Sequence, residues 1–259
     1  MEITYQQLLD MKMNPGWVLV KFFKNDTVTL DNGLRLTFPD AHVKNEGRYV
    51  PFHGEIVAIC DEPDPEGEIV DSVIHPKIND YLFFDYKCGL DALLYSVRGD
   101  KDMLVHVSDK NIVYMLVPYE LCYAYIDKKE MDQHQKNQAE YFHHGDTNDA
   151  FKYLHPINGT YLVTPVPHNP YKGLVMNKQF PMDPYRFKVE RVPKTPVRYR
   201  DKSKFDPLQS GANIEPGDIV TVTAYAGNFL EFDLFKNKYG VPTCMQLPGN
   251  RILSKEIVI

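Results

Sequence analysis

The chain has 259 residues, room for one large domain or for two of roughly 100 to 130 residues that each bury a core. Apolar residues at 43% and charged residues at 25% describe an ordinary globular composition and exclude a disordered or fibrous chain. The net charge of −6 gives no electrostatic case for nucleic acid, which needs a clustered basic surface.

Taken in chain order, Met1 to Met13 places Leu8, Leu9 and Met13 at near-helical spacing and predicts a short N-terminal segment of its own. It has no basic region followed by an apolar run, and no stretch of the chain reaches the length of a membrane span, so a cytoplasmic location with no membrane partner is expected. Pro15-Gly16 predicts a turn, and Trp17-Val18-Leu19-Val20-Lys21 a strand. Thr27 to Thr37 alternates apolar and polar residues about Asn32-Gly33, the strongest local hairpin signal. Glu55 to Ile59 reads as a strand, Asp61 to Lys77 as an acidic loop, and Ile78 to Phe84 as a turn opening another strand.

Leu121 to Ile126 closes this series, and residues 127–154 follow as a polar, proline-free linker rich in helix formers up to Phe142. Ile157-Asn158-Gly159 then predicts a turn before a strand over Thr160 to Thr164. Asn158-Gly159-Thr160 also fits a glycosylation sequon, which carries no weight in a chain without an export signal. His168 to Gly173 is turn-rich and leads into the apolar triplet Leu174-Val175-Met176. Pro193 to Asn213 is a long basic loop whose lysines and arginines are interrupted by Asp201, and it reads as solvated rather than as a phosphate-binding patch.

The chain repeats itself. Asp80 leads a strand that ends nine positions on at Gly89, and Asp218 leads one that ends nine positions on at Gly227. Upstream, Trp17 to Lys21 matches Thr160 to Thr164, Gly33-Leu34-Arg35-Leu36 matches Gly173-Leu174-Val175-Met176, and Glu55 to Ile59 matches Lys188 to Val192. The order is kept throughout. The expected organisation is all-β: an N-terminal segment at 1–13, a first unit at 14–126, the linker at 127–154 and a second unit at 155–259.

Chemistry-bearing motifs are sparse. Cys60, Cys88, Cys122 and Cys244 are widely spaced without a C-x-x-C pair and read as reduced core thiols. His134, His143, His144 and His155 lie in or beside the linker with Asp146 and Asp149, but without metal-site spacing. There is no G-x-S-x-G, phosphate loop or G-x-G-x-x-G, so neither enzyme activity, a cofactor nor a metal is expected.

The ordered set of pieces resembles the GroES-type co-chaperonin family, in its tandem, two-unit form. Val18 to Lys21, Gly33 to Leu36, Gly54 to Ile59, Asn79 to Phe83 with Tyr86 to Gly89, and Leu121 to Ile126 carry the likeness in the first half. Ile214-Glu215-Pro216-Gly217-Asp218-Ile219-Val220 and Ile252 to Ile259 carry it in the second. The resemblance implies two irregular β-barrels, a homo-oligomeric ring, and a GroEL-type chaperonin ring as partner. It also implies docking through a loop that ends in a short apolar segment: Leu34, Arg35 and Leu36 after Gly33, and Leu174, Val175 and Met176 after Gly173. Burying such side chains contributes about 1.5–3 kcal/mol each, against the ordering of the loop, and a ring of loops adds avidity.

Two alternatives stand beside it. The Asn32-Gly33 hairpin competes with a docking loop in the first half, and Arg35 puts a charge into the expected apolar segment. An assembly or scaffold protein, for instance viral, that uses the barrel for self-association without a chaperonin is the other reading, since fold does not fix function.

Overall fold

The computed structural model describes residues 12–23, 27–29, 35–37, 53–70, 72–85, 88, 104–109, 112–130, 153–167, 182–204, 206–208, 211–223, 228–229 and 245–256. Among them the protein is all-β, with one-turn 3-10 helices at Tyr119–Leu121 and Gly249–Arg251 and an α-helical turn beginning at Lys128. The chain divides into two compact units, one of Met1–Gly67 and Val73–Lys128, the other of Glu68–Ser72 and Lys129–Ile259.

In the first unit the strands are β1 (Trp17–Phe23), β2 (Thr27–Thr29), β3 (Arg35–Thr37), β4 (His53–Ile59), β6 (Tyr81–Phe84), β7 (Leu104–Asp109), β8 (Ile112–Pro118) and β9 (Cys122–Ile126). The second holds β5 (Ile69–Val70), β10 (His155–Pro156), β11 (Thr160–Pro167), β12 (Met182–Arg191), β13 (Arg198–Tyr199), β14 (Ile219–Val222), β15 (Asn228–Phe229), β16 (Met245–Pro248) and β17 (Ile252–Lys255). Within the first unit the main sheet runs β9-β6-β4-β1-β8-β7, and within the second β17-β14-β12-β11-β16-β15. The two orders correspond strand for strand.

The correspondence extends to irregularities that no periodic pattern encodes. Leu19 faces Ala58 while Val20 faces Ile56, so β4 bulges at Val57; Leu162 faces Arg191 while Val163 faces Val189, so β12 bulges at Glu190. A second pair of bulges falls at Tyr123 on β9 and at Leu253 on β17. The turns that open β6 and β14 are fastened by matching bonds. Lys77 N–H donates to Asp80 Oδ2 at 2.8 Å, and Glu215 N–H to Asp218 Oδ2 at 2.6 Å. Ile56 N–H donates to Asp80 O at 2.9 Å, and Val189 N–H to Asp218 O at 2.8 Å. Asn79 and Gly217 occupy the left-handed position, at φ 75° and 100°, that this turn demands. The Asp recurs in both halves because its carboxylate closes the turn while its carbonyl fastens the turn to the neighbouring strand.

The cores follow from period-two burial. Tyr161 and Val163 on β11, Phe187 and Val189 on β12, and Val220 and Val222 on β14 turn to one face of the second sheet, joined by Leu247 and Ile252. In the first unit Leu19, Val57, Ala58 and Tyr114 form a cluster on which Met13 and Leu116 pack. The bulge sets Val57 beside Ala58 on the face of Leu19, so both faces of β1 are buried. The equivalent position in the second unit is Glu190, which accepts from Thr164 Oγ1 at 2.8 Å and pairs with Lys188 at 3.2 Å. Leu154, in the segment read from sequence as linker, is fully buried in the second unit, and its carbonyl accepts a bond from Arg191 Nε at 3.3 Å.

Candidate docking segments

Both expected docking segments lie on the connection between the two central strands of their unit. β1 and β4 are antiparallel neighbours, with Lys21 opposite Glu55 and an ion pair between them of 3.0 Å. β11 and β12 are the equivalent pair, last matched at Pro167 opposite Met182. Residues 24–52 and 168–181 thus connect equivalent pairs of strands, each pair held in register by its ladder bonds.

In the first loop Arg35 and Leu36 lie on β3, paired antiparallel with β2: Thr27 opposite Thr37, Val28 opposite Leu36, Thr29 opposite Arg35. This is the hairpin that the alternation about Asn32-Gly33 predicts, and Gly33 and Leu34 themselves lie outside the described residues. Among the described residues the ribbon is a two-stranded sheet of its own, separate from the main sheet. Gly173, Leu174, Val175 and Met176 also lie outside the described residues.

A feature that the sequence reading missed sits over the turn before β11. The acidic and basic insertions at 61–77 and 193–213, read as solvated loops, contribute β5 and β13, which pair with each other: Ile69 opposite Tyr199, Val70 opposite Arg198. Lys204 Nζ reaches Glu68 Oε1 at 2.8 Å, and Arg200 N–H donates to Glu68 O at 2.7 Å. Beneath them Asp206 is fully buried and accepts from Val197 N–H at 2.7 Å, Leu208 N–H at 3.0 Å and the Tyr161 hydroxyl at 3.2 Å. Burial, with Asp206 alongside, pushes the Tyr161 phenol far above its ordinary range. Tyr199 is pushed up to about 12, first by burial and then by the charges of Asp206 and Glu68. The opposite signs of the two insertions were the signal available in the sequence.

Elsewhere, His155 Nε2 and Glu130 Oε2 lie 2.9 Å apart, and among the described residues no three His, Cys, Asp or Glu side chains gather as a metal would require. Cys122 is buried and its thiol is held well above its ordinary range by that burial, which makes it a poor nucleophile, whereas Cys60 and Cys88 are half-buried. No described helix is long and apolar enough to cross a membrane. Compared with known proteins, the chain matches no family and no curated protein in sequence.

Proposed function

We propose that the protein is a co-chaperonin: a chain of two GroES-like barrels that assembles into a ring, caps a chaperonin ring, and assists ATP-dependent folding without catalysing a reaction itself. The observation that carries this reading is the doubled strand order with matched bulges, in which the two segments expected to dock occupy the same connection of each unit. A loop rooted at both ends in a rigid antiparallel pair can present a short apolar segment at low cost to the scaffold, and repetition supplies the avidity that one weak contact lacks. Leu174, Val175 and Met176 form the stronger docking segment, being apolar throughout, with Leu34, Arg35 and Leu36 as the second.

Co-sedimentation with a chaperonin ring, with and without ATP, tests it. Nucleotide-dependent binding is expected for the native chain, with loss of at least about tenfold for Leu174→Asp combined with Met176→Asp, since each buried apolar side chain is worth more than the 1.4 kcal/mol of one decade. A second reading, a self-associating scaffold, is favoured by the β2–β3 pairing in the first of these connections. It predicts a closed oligomer that ignores the chaperonin under every nucleotide condition.

A further inference from the structure

The second unit is completed by five residues from elsewhere in the chain. Glu68–Ser72 belongs to this unit, while the residues on either side of it, Gly67 and Val73, belong to the first. The segment is held as a ligand would be. Its backbone adds a strand to β13, with Ile69 opposite Tyr199 and Val70 opposite Arg198, and Glu68 O accepts from Arg200 N–H at 2.7 Å. Its side chains are read individually: Glu68 meets Lys204 at 2.8 Å, Ile69 is 7% exposed, and the Ser72 hydroxyl donates to Asn158 Oδ1 at 3.0 Å. Main-chain pairing combined with recognition of individual side chains is the logic of strand addition to a sheet edge.

We propose that β13 and its basic surroundings form a peptide-binding site for an extended strand of defined chemistry: a carboxylate, then a branched aliphatic residue that is buried, then a hydroxyl three positions further on. Glu68–Ser72 is its resident occupant. The attachment is a releasable latch, because only two residues pair on each side and the Glu68–Lys204 contact is open to solvent at 41% and 39% side-chain exposure. Release uncovers a β13 edge that accepts the same sequence presented in trans. This inference is independent of any chaperonin partner.

The test is a titration of a fluorescent peptide of residues 66–74 into the full chain, read by anisotropy. The native chain is expected to bind weakly, since its own strand competes at an effective concentration on the order of millimolar. Ile69→Asp, which expels the resident strand and leaves β13 intact, should bind the peptide at least about tenfold more tightly than the native chain. A peptide carrying Glu68→Lys should bind this variant poorly and regain binding when the receiving chain also carries Lys204→Glu. If the Ile69→Asp chain does not fold, the same titration on Glu68→Lys, a change at a half-exposed side chain, takes its place. A folded variant that binds no peptide, or binds native and charge-reversed peptides alike, overturns the proposal.

Discussion

Asp206 is a buried carboxylate whose oxygens are claimed by two backbone N–H groups and a phenol. Asp206→Asn puts an NH2 where an acceptor is needed and sets donor against donor. A loss of about 2–3 kcal/mol is expected, in the range for a buried hydrogen bond to a charged group, seen as a lower urea midpoint. Two glycines make a sharper comparison, since both have positive φ but different surroundings. At Gly217, φ 100°, a Cβ would meet nothing within 4 Å, so Gly217→Ala carries only backbone strain of about 1–2 kcal/mol. At Gly159, φ 67°, it would meet Val197 Cγ2 at 2.5 Å and the Tyr199 hydroxyl at 2.9 Å, so Gly159→Ala adds an overpacking penalty of about 1–3 kcal/mol. Equal losses at the two sites would show that Val197 and Tyr199 do not press on Gly159 in solution.

Among elements, β17 is an edge strand of its sheet, with only β14 beside it among the described residues and Leu253 63% exposed at its bulge. Its equivalent in the first unit, β9, instead buries Tyr123 with its ring 6.3 Å from that of Phe83. Past the end of β17, Glu256 receives two bonds from Arg186, from Nε at 2.6 Å and Nη2 at 2.7 Å. The hydrogen bonding from Arg186 holds Glu256 below the usual carboxylate range. The depressed pKa means that the stabilisation is complete above the unfolded carboxylate value and is lost as pH falls through the folded one. Glu256→Gln should therefore lower stability at neutral pH, and the difference from the native chain should vanish in acid, as denaturant melts at a series of pH values would show. The effect will be modest because the pair is partly solvated.

For the whole molecule the alkaline limit has the opposite sign. Tyr199 moves from 10.0 to about 12 on folding, so the folded state holds its proton where the unfolded state has lost it. Stability from this group is intact below pH 10 and declines between pH 10 and about 12. Replacement by Phe should flatten part of that decline in alkaline melts, while an unchanged slope would mean that Tyr199 titrates as an ordinary phenol.

The repeated strands were legible in the sequence because local patterns encode them: Val18-Leu19-Val20 and Tyr161-Leu162-Val163 are apolar runs after glycine turns, and Pro216-Gly217 writes its turn type in two residues. The hairpin about Asn32-Gly33 was legible for the same reason, since β2 and β3 are neighbours along the chain. The bulges at Val57 and Glu190 were not, because a bulge is a mismatch between two strands and neither strand carries it alone. The segment 61–77 misled as a solvated loop because its charge is real, while the burial of Ile69 depends on β13, more than a hundred residues away. By itself the sequence determined the β class and the ordered recurrence of the strands that open and close each half, set by turn chemistry and period-two burial, while β7, β8, β15 and β16 carried no such signal. Only the tertiary structure decided which strand lies beside which and which charges meet, because those pairings depend on distances through space that no local pattern records.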